Sequence, residues 1–212
     1  MIRGAYHFAR PRGVTPAQIA SNGAAQATGF SHVVGTLGGP GDLPPALGLE
    51  DAGTLNPAQL SLWTRAWLDR AAQLTGRDAI VYTNVSFWRQ YMANSPEFAM
   101  YPLWLAGYGV RQPARVGGWK RCVFWQYTET GRMAGASLNV GLSVFNGSRA
   151  QLKAMTVTPA ASAAATSATL NDTMLARQPA GSTRTGATRS RSGLGSWLRA
   201  FGMDRSGAIA GY

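Results

Sequence analysis

The sequence predicts an α/β, barrel-like domain followed by a disordered tail, and three observations carry that prediction. Short, continuously apolar runs alternate with helical patterns through the first half of the chain, as parallel βα units do. Two later runs, at 121–128 and 138–145, follow each other closely. Beyond about Met155 the composition changes to Ala, Ser, Thr and Gly with scattered Arg. Six strands are legible, and a closed eight-stranded barrel needs two more. The sheet is therefore expected to keep an exposed edge, a surface that invites aggregation or dimer formation.

Residues 4–9, Gly-Ala-Tyr-His-Phe-Ala, form an aromatic strand stopped by Pro11 and Gly13. Thr15 and Pro16 supply an N-cap and a first-turn proline for a helix through Ile19, Ala20, Ala24, Ala27 and Phe30, with Gly23 as its weak point. A glycine-rich loop at 35–42 matches neither a dinucleotide fingerprint nor a P-loop. In the stretch 43–51, Leu-Pro-Pro-Ala-Leu-Gly-Leu-Glu-Asp, two prolines enforce extended backbone and Ala46, Leu47 and Leu49 read as a buried strand. Alternation puts positions 48 and 50 on one face, roughly 6–7 Å apart. Glu50 thus stands at the strand's C-terminal end, where α/β barrels keep their chemistry, and its companion is Gly48.

Asn56 and Pro57 open the clearest helix, 56–74, with Leu60, Trp63, Trp67 and Leu74 on one face and Gly76 as its stop. Arg65 and Asp69 are spaced for a surface pair. Residues 79–82 form another apolar strand, 86–92 a helix and 102–108 a further strand. At 121–128, Val123, Trp125 and Tyr127 share one face and Phe124, Gln126 and Thr128 the other. The last strand, 138–145, ends at Asn146-Gly147. Residues 156–192 lack apolar periodicity and are expected to be disordered. Leu194, Trp197, Leu198 and Phe201 follow helical spacing, which reads either as a small membrane- or partner-binding helix or as a poorly ordered apolar cluster.

The formal net charge is +11, with thirteen Arg and Lys against seven Asp and Glu in residues 1–150, and seven against two in 151–212. Such a surface favours anionic partners. Cys122 is the only cysteine and His7 and His32 the only histidines, which excludes an intrachain disulfide and a Cys-based zinc site and argues against a His-rich metal centre. No metal or cofactor is expected. The N-terminus lacks the apolar region of a signal peptide, and no run reaches transmembrane length. A nucleic-acid partner is disfavoured, because its one local support, Arg-Ser-Arg-Ser at 189–192, has no interleaved aromatics.

Six segments in order, GAYHFARP at 4–11, LPPALGLED at 43–51, IVYTN at 80–84 with Phe87-Trp88, YPLWLA at 101–106, FWQYT at 124–128 and VGLSVFNGS at 140–148, together resemble the family-twenty-five glycoside hydrolases, the N,O-diacetylmuramidases of bacteria and phages. The resemblance covers residues 3–152. It implies a partial lysozyme-like domain at 1–153, a (β/α) TIM-barrel-like fold lacking its first strands, with a low-complexity basic tail at 154–212. It implies cleavage of the β-1,4 bond between N-acetylmuramic acid and N-acetylglucosamine in peptidoglycan. The family's Asp-x-Glu maps its general acid onto Glu50. A second carboxylate is expected to steady the substrate's own acetamido group as it attacks the anomeric carbon.

Three of the family's four acidic positions are neutral or missing by this mapping. Gly48 stands for the aspartate of Asp-x-Glu, Gly141 for that of the last-strand Val-Asp-Leu, and the opening strand with its aspartate would precede Met1. Asp51 is expected to face away from Glu50, and Asp42, Asp69, Asp78, Glu97 and Glu129 read as solvated surface charges. Without a like charge at position 48, Glu50 loses one source of an elevated pKa, so activity is expected to favour acidic conditions.

Tyr6, Tyr82 and Tyr108 are expected to line a sugar groove, and Trp104 and Trp125 to line it or fill the core. Gln126 is a strand amide that needs partners a sugar or carboxylate supplies. His7 enters the substrate-binding set through the resemblance alone. The expected function is peptidoglycan hydrolysis at the bacterial cell wall, reached by secretion or a phage-type release, with the basic tail engaging an anionic wall polymer or membrane. The alternatives are a catalytically impaired peptidoglycan-binding module and a fragment of a truncated reading frame.

Overall fold

A computed structural model describes residues 2–35, 41–134, 137–156, 198–203 and 208–211, the last two segments through their backbone. The order is β1 (Arg3–Phe8), α1 (Pro16–Val34), β2 (Ala46–Gly48), α2 (Pro57–Thr75), β3 (Ile80–Asn84), α3 (Val85–Tyr91), β4 (Leu103–Ala106), β5 (Phe124–Gly131), β6 (Val140–Phe145), α4 (Arg149–Ala154), β7 (Leu198–Met203) and β8 (Ala208–Gly211). Strands β1 to β5 pair in parallel and β6 returns antiparallel to β5. These six strands alone make an open, curled half-barrel of the α/β class that the sequence predicts.

The edges of that half-barrel do not stay exposed. β7 pairs antiparallel with β1, β8 with β6, and the two with each other, so the backbone ring is closed. The expected bare edge is thus corrected: the two missing partners come from the C-terminal segment. Residues 198–203, where the sequence left a small helix or a poorly ordered apolar cluster open, form a strand, which is neither. An unpaired row of backbone N–H and C=O groups on β1 outweighs weak local helical preference. The disorder expected for 156–192 falls, beyond Thr156, outside the described residues.

Helix starts follow the local chemistry. Thr15 with Gln18, and Asn56 with Gln59, form reciprocal capping boxes, and Gly76 ends α2 in the left-handed conformation. α4 escaped the sequence reading although Ser148 and Gln151 carry the same capping signature. Gly23, weak by propensity, has a packing role: a Cβ there would lie 2.5 Å from the Trp63 carbonyl of α2. Arg65 pairs with Glu97 rather than with Asp69.

Strand alternation creates two apolar layers. Outward-facing Ala5, Leu47, Leu49, Val81, Leu103 and Leu105 pack with Ile19, Phe30, Trp63 and Trp67 of the helices. Inward-facing Ala46, Ile80, Trp104 and Phe124 fill the barrel together with Tyr6 and Tyr82. Asp42, expected as a solvated charge, is buried before β2, where both its oxygens accept from Arg3, at 3.1 and 3.0 Å.

Candidate active site

The site is built at the C-terminal ends of the parallel strands. β2 is short because Pro44 and Pro45 have no N–H to give a neighbour, yet the Pro45 carbonyl still accepts from Ile80 N at 2.8 Å. Pairing with β3 continues past β2 through Leu49 N to the Tyr82 carbonyl (2.8 Å) and from Thr83 Oγ1 to the Leu49 carbonyl (2.9 Å). That continuation keeps the alternation intact, so Ala46, Gly48 and Glu50 all face inward and Glu50 stands half-buried at the barrel mouth.

Burial raises the Glu50 pKa; a hydrogen bond from Asn84 opposes the shift, and the negative charge of Glu129 adds to it. Position 48 contributes no charge, as the sequence implies, and desolvation is the main cause of the raised value. Asn84 Oδ1 caps α3 by accepting from Phe87 N at 2.8 Å. With that oxygen occupied, the amide nitrogen is the group left to donate to Glu50.

Glu129 is the carboxylate that the sequence reading set aside as surface charge. Gln126 pairs with Ser143, Thr128 with Leu142 and Gly131 with Val140, so β5 carries extra residues on both sides of Thr128. One inserted residue reverses strand alternation and brings 129 back to the inward side, opposite Gly141. Its side chain stays exposed at the rim, and its charge reaches both Glu50 and Tyr108. Asp51 is engaged elsewhere: burial opposes its ionisation, but hydrogen bonds from Gly53 N (2.8 Å) and Arg10 (2.6 Å) outweigh that and hold its pKa low.

Gln126 organises the far wall. Its Oε1 accepts from the Tyr82 hydroxyl at 2.7 Å and the Tyr108 hydroxyl at 2.8 Å, which turns Nε2 toward Gly141. A Cβ built on Gly141 would fall on that Nε2, well inside contact distance. The amide therefore occupies the space where a side chain at 141 would begin. Burial, with the nearby Glu50 charge, pushes the Tyr82 phenol far above its ordinary pKa and keeps it a donor.

The remaining expected site residues divide by sheet face. Tyr6 is inward and meets Trp104 edge-on, with centroids 6.4 Å apart. Trp104 lies beneath the mouth at 3% exposure, its Nε1 donating to Ser143 Oγ at 3.0 Å, and is core rather than a stacking surface. Trp125 pairs across with outward-facing Leu105 and donates to the Gly107 carbonyl at 2.8 Å, so it stands outside the barrel. His7 also points outward, stacked on Trp67 with centroids 5.9 Å apart and bonded to Gln26 Oε1 at 2.8 Å. Gln26 Oε1 also accepts from Arg10 N, while its Nε2 donates to the Arg10 carbonyl, which makes His7 Nε2 a donor and fixes the tautomer. Burial lowers the His7 pKa. Asn84 and Glu129 are the site residues missed; the end of a barrel strand was the available signal for Asn84.

An α/β barrel with an inward, half-buried carboxyl group and flanking tyrosines at its strand C-termini presents a carboxyl able to exchange a proton with a ligand in the mouth. The profile described as "Glycosyl hydrolases family 25" matches residues 1–136, and the chain belongs to that family. It is 36% identical over 163 residues to lysozyme M1 of Streptomyces globisporus, covering 73% of this chain and 53% of that one. It is 35% identical over 154 residues to the N,O-diacetylmuramidase of a Chalaropsis species, covering 68% and 70%. The solved bacterial lysozyme from Streptomyces coelicolor superposes with a TM-score of 0.63 at 32% identity, over 73% of this chain and 71% of that one. This chain thus spans about half the length of the Streptomyces globisporus relative (53%). Among the described residues no group of three or more His, Cys, Asp or Glu is arranged to hold a metal ion, and no helix is long and apolar enough to cross a membrane.

Proposed function

We propose that this chain is a lysozyme-like hydrolase that cleaves the β-1,4 bond between N-acetylmuramic acid and N-acetylglucosamine in peptidoglycan. The observation that carries the reading is Glu50, half-buried at the mouth with a raised pKa. A carboxyl group held protonated near its working pH can deliver a proton to the departing glycosidic oxygen. Asn84 orients it and Glu129 is the chain's own second carboxylate. Tyr82, Tyr108 and Gln126 present a fixed hydrogen-bonding wall to the sugar, while Tyr6 lines the inner face.

The experiment is digestion of purified peptidoglycan, with analysis of the released muropeptides. Reducing N-acetylmuramic acid ends are expected, and Glu50→Gln should abolish their release while the protein stays folded. Unchanged release from Glu50→Gln would remove Glu50 from the role. A second reading, a peptidoglycan-binding module with little turnover, is favoured by Gly48 and Gly141, which bring no charge to the mouth. It predicts cosedimentation with sacculi and no muropeptide release from the unmodified protein.

A further inference from the structure

The segment between β4 and β5, residues 107–123, crosses the outer wall of the barrel without forming a helix. It is nonetheless firmly anchored. Val116 and Trp119 are buried, Trp119 Nε1 donates to the Tyr101 carbonyl at 2.8 Å, and its ring meets Trp88 edge-on with centroids 4.7 Å apart. Gly117 N donates to Asn94 Oδ1 at 2.8 Å. Between this segment and the strands lies a cavity of about 290 Å³, with Leu103 and Leu105 as its floor and Arg115, Lys120 and Arg121 around it. Cys122 and Asn146 line the end where β5 begins and β6 has finished, opposite the mouth that holds Glu50.

The charge there is one-sided. No Asp or Glu occurs between Glu97 and Glu129, whereas Arg111, Arg115, Lys120 and Arg121 all do. All four are exposed, and none belongs to an ion pair among the described residues. Three cations lining one cavity with no carboxylate among the lining residues raise the local potential and attract anions. Arginine, with its fork of donors, suits phosphate oxygens.

We infer that this outer-wall cavity is a binding site for a polyol-phosphate chain, one phosphodiester unit seated between Arg115, Lys120 and Arg121. The volume admits a small polyol phosphate. Recognition of a nucleic acid strand would want exposed rings for base stacking, and the one indole in the lining, Trp119, is buried and committed to the core. Because the cavity lies away from Glu50, occupancy there leaves the mouth free. The inference does not depend on the chain being a hydrolase.

Cys122 supplies the reporter, since it is the only thiol, is partly exposed, and lines the cavity. Burial pushes its pKa up, so labelling uses uncharged iodoacetamide under mildly alkaline conditions. Poly(glycerol phosphate) is the probe, with polyglutamate and single-stranded DNA as comparators. The full chain is expected to bind the polymer in a salt-dependent way, with Cys122 labelling slowed several-fold. Arg115→Glu with Arg121→Glu should weaken binding by about tenfold or more and restore the labelling rate, with muropeptide release unaffected. Binding that leaves Cys122 labelling unchanged, or that survives the double reversal, would place the polymer elsewhere on the basic chain and overturn the inference. Equal affinity for DNA or polyglutamate would overturn the assignment to a polyol phosphate.

Discussion

Replacing Gly141 by alanine tests whether Gln126 holds the far wall as the structure describes. The new Cβ would fall on Gln126 Nε2, so the amide must swing away and both phenols lose their shared acceptor. Tyr108 is 42% exposed and takes water instead. Tyr82 is more enclosed, and an orphaned hydroxyl there costs about 1–3 kcal/mol. Lower entropy of the unfolded chain returns about 0.4–1 kcal/mol, because Gly141 does not adopt positive φ. The net loss should be about 1–2 kcal/mol. In a Gln126→Ala background the space is vacant and the phenols already lack the amide, so Gly141→Ala should cost nothing or stabilise slightly. Urea unfolding of the four proteins in the cycle therefore should give a coupling of about 1–3 kcal/mol. Additivity within about 0.5 kcal/mol would refute the clash and the amide's role in holding the tyrosines.

Two further predictions concern charge at the mouth. Glu129→Gln removes a like charge, so the Glu50 pKa should fall and the alkaline limb of the activity–pH profile should move toward acid; an unmoved limb would show that Glu129 does not act on Glu50. Glu50→Gln should also change stability with a defined sign. The folded state raises the Glu50 pKa, so the native carboxyl holds its proton where the unfolded one has lost it, and stability declines as pH rises from the ordinary carboxylate range through the raised value. The Gln variant should accordingly be more stable than the parent at neutral pH, and this gain should vanish in acid below the unfolded pKa. Thermal unfolding across pH checks this; a gain that persists unchanged into acid would assign it to packing.

Much of the frame was legible because its signals are local. Thr15 with Pro16 and Asn56 with Pro57 start helices wherever they occur, and the Leu60–Trp63–Trp67–Leu74 face has to be buried. Glu50 was legible for the same reason: two prolines and a period-two run place it at a strand end, on the face of Gly48. The family resemblance gathered these separate signals into one fold and pointed to Glu50 as the residue to propose for the general acid.

Contacts distant in sequence decided the rest. His7 and Trp125 are aromatic strand residues like Tyr6 and Tyr82, and only the strand pairing shows that they stand on the outer face. Glu129 reads as surface charge until the bulges in β5 reverse the alternation, and a bulge is a relation between two strands rather than a property of one. The closing of the sheet followed the same logic. Local spacing near residue 198 permits a helix, but a helix satisfies only its own backbone, whereas β7 and β8 also satisfy the edges of β1 and β6. The sequence by itself determined where segments begin, which faces are apolar and where the acid sits. Tertiary structure decided which polar groups meet, because hydrogen-bond partners such as Gln126 and Tyr82, or Asn84 and Glu50, lie tens of residues apart and are brought together only by the parallel pairing and curl of β2 to β5.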